Sequence, residues 1–222
     1  MSEASSAANL NLEELERFRN IRLLHNHWSR PIGPRSYYWY LTFEDSAELH
    51  YLTARCQQGI AFPYYDLTPV SDLHLTLDRI AFDGDIAPDQ LSAIEIAAIR
   101  ACRNVAPFDI TIGALGGTAG AIGFIAFPAP ALRELRDTFR AATLSVYPAA
   151  PVGHSGFPPH VTIAYANSDG VPAADVIASV EKLNSAPSVN VTIKEGTLAL
   201  LERRKRAYAW QVVSRIPLAG GS

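Results

Sequence analysis

Only two cysteines, Cys56 and Cys102, occur in 222 residues. A disulfide framework or a Cys-rich zinc site needs more, so both are excluded. Each lies in an apolar periodic segment and is expected to be a small buried side chain. An excess of one charge is also missing: 19 basic against 22 acidic residues leave a formal net charge of −3. A bulk binder of phosphate backbone would be strongly basic, whereas a local nucleotide site is compatible with this balance. No apolar run approaches the roughly 18 residues of a membrane span. The N-terminus, MSEASSAANLNLEELERF, has neither the basic nor the apolar stretch of a secretory signal. A reducing cytoplasm is the expected location. What is present is a foldable composition, with 48% hydrophobic and 18% charged residues, which excludes a largely disordered chain.

Periodicity sets the element order. Asn11, followed by Glu13 and Glu14, is expected to cap a helix that ends before Pro31 and Pro34. Tyr37–Phe43, aromatic and β-branched, reads as a strand. A helix follows with Leu49, Leu52, Cys56 and Ile60 on one face and Gly59 near its end. A loop rich in Tyr and Pro leads to a strand over Leu73–Ile80. Pro88 opens another helix carrying Leu91, Ile94, Ala98, Cys102 and Val105. Segments 108–115 and 121–127 flank a Gly-rich turn and predict a hairpin. Pro130 starts a helix with Leu132, Leu135, Phe139, Ala142 and Val146 inward. A strand over His160–Ala166, a short helix near 175–183 and strands near 189–193, 197–201 and 207–216 complete the chain. Strands and helices mix without strict β–α–β alternation, so the class is α+β with mainly antiparallel sheets.

Within that order one pattern occurs twice. A strand, a helix and a strand carrying His-x-Thr run from 37 to 80 and again from 121 to 166, with the two histidines 86 residues apart. That interval suits a duplicated half-domain better than a solenoid repeat. Side chains alternate along a strand, so His74 and Thr76 share one face, and Leu75 and Leu77 share the other. His160 and Thr162 stand in the same relation to Val161 and Ile163. A single His-x-Thr carries almost no information, but two in matching apolar strands do. Paired imidazoles suit phosphodiester chemistry, because an ordinary value of about 6.5 lets one be neutral and one protonated near pH 7. The neutral ring takes a proton from water or a ribose hydroxyl, and the charged ring gives one to the leaving oxygen. Threonine hydroxyls donate to the non-bridging oxygens as charge develops.

The segments His74-Leu-Thr-Leu and Pro158-Pro159-His160-Val-Thr-Ile resemble the motifs of the 2H phosphoesterase superfamily, in the branch of bacterial 2′-5′ RNA ligase-like proteins and cyclic phosphodiesterases. The strand YYWYLTF and the closing hairpin LALLERRKRAYAWQVV agree with it. The resemblance covers about residues 37–216. It implies two pseudo-symmetric lobes of mainly antiparallel sheet, with helices outside, around a central cleft to which each lobe brings one His-x-Thr. It divides the chain into an N-terminal helical extension, 1–36, and a bilobal domain, 37–222. It implies an enzyme acting without metal or other cofactor on a 2′,3′-cyclic or 2′-5′ phosphodiester of a nucleotide or RNA end. His74 and His160 would be catalytic, and Thr76 and Thr162 would bind phosphate. No membrane and no obligate protein partner are implied. The alternative from another class is an RNA- or nucleotide-binding protein of the same fold without turnover; two intact motifs argue against it. A serine hydrolase is excluded by the lack of a G-x-S-x-G elbow.

Three further residues adjoin the motifs. If the strand stays regular, Asp78 falls on the face of His74, either orienting an imidazole or repelling phosphate. Arg79 and Tyr165 alternate to the opposite face and would reach phosphate only where the strand twists or ends. His25 and His27, two apart near a helix end, do not share a face and make a poor metal pair. His50 reads as an exposed helix residue and His154 as a loop residue. Arg203–Arg206 reads as a solvated turn that would otherwise touch a nucleic-acid backbone. Of Tyr37–Tyr40, one face belongs to the core and the other is free to stack a base, worth about 1–3 kcal/mol.

Overall fold

The computed structural model describes residues 15–153 and 157–219. The expected cap at Asn11 and the loop residue His154 lie outside them. Nine strands and four α-helices are named here: β1 Ser36–Thr42, α1 Ala47–Gly59, β2 Tyr65–Leu67, β3 His74–Phe82, α2 Pro88–Cys102, β4 Phe108–Thr118, β5 Ala121–Phe127, α3 Ala129–Val146, β6 His160–Ala166, α4 Ala174–Leu183, β7 Val189–Ile193, β8 Glu195–Arg204 and β9 Ala207–Pro217. The elements predicted from Tyr37 onward are all present, and β2 is the strand the periodicity did not reveal.

Two antiparallel sheets carry the fold, ordered β3-β1-β8-β9 and β2-β6-β5-β4-β7. Leaving out β2, the second order repeats the first, with β6 in the place of β3 and β5 in that of β1. The two His-x-Thr strands therefore hold equivalent positions in two related sheets, as the duplicated pattern predicts.

Each sheet buries one face under helices. Behind the first lie α2 and α3: Trp39 of β1 stacks on Phe139 and donates its Nε1–H to the Thr143 hydroxyl at 2.9 Å, while Ser214 of β9 bonds Glu95. Behind the second lie α1 and α4. Gln57 of α1 donates to the Ile163 carbonyl of β6, and Asn184, just past α4, bonds both Leu115 N–H and Leu115 carbonyl. Of the inward stripes read from the sequence, Leu49, Leu52, Cys56 and Ile60, then Ile94, Ala98 and Cys102, then Leu132, Leu135, Phe139 and Ala142 are buried, while Leu91, Val105 and Val146 are half-buried at their edges. Both cysteines are buried and free. The helix that follows β1 thus packs behind the second sheet, and the helix that follows β5 packs behind the first. Among the described residues no helix is long and apolar enough to cross a membrane.

Candidate active site

The uncovered faces of the two sheets turn toward each other. On the first, His74 and Thr76 of β3 stand beside Tyr38 and Tyr40 of β1, with Tyr40 opposite Thr76 in register. On the second, His160 and Thr162 of β6 stand over Ile125 and Gly123 of β5. A Cβ at Gly123 would lie 2.7 Å from the Val161 carbonyl oxygen, so only glycine lets β5 approach β6 this closely under Thr162. The two faces interact: the Tyr40 phenol feels that of Tyr165, and the His74 imidazole feels that of His160.

Both strands depart from regular alternation, and at the same place. In β3, Trp39 pairs with Asp78 but Tyr40 pairs with Thr76, so Leu77 is extra. In β6, Ile122 pairs with Ala164 but Gly123 pairs with Thr162, so Ile163 is extra. A bulge of one residue re-aims every side chain beyond it. Asp78 therefore does not share the face of His74. It is buried on the helix side, where Oδ2 accepts from Arg140 Nε of α3 at 2.6 Å and Oδ1 from the backbone N–H of Arg79 at 3.1 Å. Arg79 and Tyr165 are the residues brought round to the cleft face. Arg79 lies next to the Tyr38 phenol, with its guanidinium 4.6 Å over the Phe82 ring. The Tyr165 phenol lies beside the Thr162 hydroxyl, a contact between residues three apart that regular alternation would forbid.

Each histidine is tethered in the same way. His74 Nδ1 bonds the Asp72 carbonyl and His160 Nδ1 bonds the Pro158 carbonyl, both at 2.8 Å and both two residues upstream. A carbonyl only accepts, so Nδ1 carries the hydrogen in each ring and Nε2 is the atom left for chemistry. The surroundings differ. His74 is half-buried, stacked on Tyr40 at 4.3 Å and edge-on to Trp210 at 6.1 Å. Burial pulls its pKa below the ordinary imidazole value, the Asp72 carbonyl partly opposes this, and the His160 charge adds to it. His160, by contrast, is exposed at the start of β6.

Two tethered His-x-Thr strands facing each other across paired sheets agree with the sequence comparison. The 2′-5′ RNA ligase superfamily model matches residues 61–207. The chain belongs to this superfamily of 2H phosphoesterases. No curated protein sequence matches it. Among solved structures, TT0787 of Thermus thermophilus is similar, with 18% identity and a TM-score of 0.65 over 83% of this chain and 98% of that one. E. coli LigT complexed with 3′-AMP has 16% identity and a TM-score of 0.62 over 84% and 99%. The MHV ns2 PDE domain has 12% identity and a TM-score of 0.54 over 76% and 99%. At these identities the likeness is one of fold.

This superfamily member lines its cleft with rings, some from the aromatic strand singled out in the sequence and others, Trp210 and His27, that were not. Tyr38 and Tyr40 stack at 5.5 Å, and Trp210 of β9 reaches across the sheet to donate Nε1–H to the same Asp72 carbonyl that holds His74. Trp39, between the two tyrosines, faces the helices, which settles which side of β1 is core. His27 opens a three-residue 3-10 turn, His27–Ser29, and faces the cleft: its ring lies 4.3 Å from that of Tyr165, and its Nε2 is 2.8 Å from the Tyr208 hydroxyl. His50 is half-buried and bonds the Phe43 carbonyl. The basic run is only partly a free turn, since Arg203 bonds the carbonyls of Trp28 and Pro31, and Arg206 pairs with Asp66. Composition could not flag His27 and Trp210, because each lies remote from the motifs in sequence.

Proposed function

We propose that the protein is a phosphoesterase that opens a 2′,3′-cyclic phosphodiester, or cleaves or transesterifies a 2′-5′ one, at a nucleotide or RNA end, using His74 as base and His160 as acid. The observation that carries this reading is the matched tether: both rings hold their Nδ1–H to a backbone carbonyl and leave Nε2 toward the cleft. His74 suits the base because its burial favours the neutral ring. Its Nε2 takes a proton from water or a ribose hydroxyl, and that oxygen bonds to phosphorus. The bond from phosphorus to the leaving ribose oxygen breaks, and the Nε2–H of protonated His160 supplies the proton that this oxygen needs. Proton exchange with solvent restores both rings, which the exposure of His160 favours.

Thr76 and Thr162 serve the phosphate. Tyr40 and Tyr165 sit beside them, and burial holds both phenols above their ordinary range, so each keeps its proton. The phenol and the hydroxyl of each pair can both donate to the non-bridging phosphate oxygens. Arg79, on the same face of β3, supplies positive charge to that developing anion. The protonated phenols and the hydroxyls hold the phosphate without a metal ion.

The test is direct. The pure protein is incubated with 2′,3′-cyclic nucleotides, 2′-5′ dinucleotides and RNA ending in a cyclic phosphate, and the products are identified. Turnover of at least one, lost in His74→Ala and in His160→Ala, is expected. No turnover of any of the three overturns the reading.

A further inference from the structure

Residues Arg22–Arg30 precede the segment shared with the superfamily, yet they run across the cleft rather than away from it. On one side they are stitched to the second sheet and its loops. Ala173 N–H donates to the Arg22 carbonyl, Leu24 exchanges bonds with Gly170 and Val171, and His25 N–H donates to the Ala119 carbonyl in the β4–β5 turn. Trp28 Nε1–H donates to Asp66 of β2 at 2.9 Å. On the other side they are fastened to the β8–β9 hairpin of the first sheet. Arg203 donates to the Trp28 carbonyl at 2.7 Å and lies over the Trp28 ring, and His27 bonds the Tyr208 hydroxyl.

The segment therefore spans from one lobe to the other at one end of the cleft. That end is defined by Tyr165 and Tyr208, whose rings pack with those of His27 and Trp28 at 4.3–5.6 Å. The closure is rigid. Trp28 is 9% exposed, and burial, with Arg203 and Arg30, lowers the His27 pKa to about 4, so the ring that seals the wall is uncharged near neutrality. His160 stands five residues before Tyr165 on the same strand, which places this wall about 15 Å along the cleft from the reacting rings. Between them lies the half-buried ring of Tyr38, a surface on which a base stacks.

We infer that this segment is an end-stop: the cleft admits one nucleoside beyond the reacting phosphate and no second one. The inference rests on the nucleotide reading above and narrows it to terminal linkages. The rest of an RNA chain leaves by the opposite end, where His74 and His160 begin their strands. A phosphodiester with several nucleotides on both sides cannot be seated, because its backbone would have to pass through His27 and Trp28.

The experiment uses oligoribonucleotides of one sequence with a single 2′-5′ linkage, either one nucleotide from the end or at the centre, and a third that ends in a 2′,3′-cyclic phosphate. Wild type is expected to act on a terminal site at least about 100-fold faster than on the central one, the scale of loss typical of a misplaced reacting group. In the full-length double variant His27→Gly/Trp28→Ala, the terminal-to-central ratio is expected to fall at least tenfold. If that variant does not fold by circular dichroism, His27→Gly alone carries the test. Wild-type turnover of central and terminal sites at equal rates overturns the end-stop and leaves the phosphoesterase reading standing. So does a folded variant whose ratio is unchanged. Absence of turnover on all three substrates overturns the phosphoesterase reading, and the end-stop with it.

Discussion

Asp78→Asn removes a charge from β3 while keeping the side chain's shape, and its consequences depend on which way that side chain points. Both carboxylate oxygens are committed on the helix side, one to Arg140 and one to the Arg79 amide that closes the bulge. Asp78 is 7% exposed, so the 0–1 kcal/mol typical of surface pairs does not apply. A hydrogen bond to a charged group contributes about 1.5–3 kcal/mol. The Arg140 side chain is 21% exposed and regains some water when its partner is neutralised, which sets the expected loss near the lower half of that range. A loss of about 2 kcal/mol corresponds to a fall in Tm of about 4–8 °C for a chain of this length. The assays are thermal melting and the pH dependence of cyclic-phosphate hydrolysis. Melting should fall by that amount, while the pH limbs of the rate stay in place, because Asp78 does not touch an imidazole. An unchanged Tm together with a displaced pH limb would refute the bulge as the reason Asp78 leaves the cleft.

Four other outcomes are expected. His74→Ala and His160→Ala should each lower kcat by about 10²–10⁴-fold, and the double variant should lose less than the product of the two, as measured by initial rates at saturating substrate. The rate should be bell-shaped in pH, and its acidic limb should fall below the ordinary imidazole value of about 6.5, because burial keeps His74 neutral to lower pH. The His27 pKa is about 4 folded and about 6.5 unfolded, so the unfolded chain binds the extra proton first. Stability should therefore be full above about pH 6.5 and decline as pH falls toward 4, and His27→Phe should flatten the melting temperature across that window. Turnover should be unchanged in EDTA, and loss restored by a divalent ion would reassign the chemistry to a metal.

The motif strands were legible because alternation needs only the residue types: His74 and Thr76, or His160 and Thr162, land together whatever the rest of the fold does. Alternation then fails one residue later. A bulge has a sequence signal when glycine occupies it, but here the extra residues are Leu77 and Ile163, ordinary strand residues that the pleat would accommodate without complaint. This is why Asp78 reads as a cleft residue and Arg79 and Tyr165 do not, when the structure has them the other way round. The helices were legible from long apolar stripes, whereas three-residue β2 is too short for any period. The rings of His27, Trp28 and Trp210 reach the cleft through tertiary contacts alone, and no local pattern encodes a contact between residue 27 and residue 208.

The exchange of helices between the two sheets bears on how the chain reaches its final state. A ribosome releases β1 and α1 early, but α1 has nowhere to dock until β5 and β6 exist, and β1 waits for β8, its partner through Tyr38 and Ala199. Such long-range pairing slows folding, since loop closure must precede the contacts that reward it. Neither lobe is an independent folding unit in the usual domain-by-domain sense. The protein should thus melt in a single transition, and a nick in the α2–β4 connection should leave two fragments that are each unstable alone yet recover one common core when mixed.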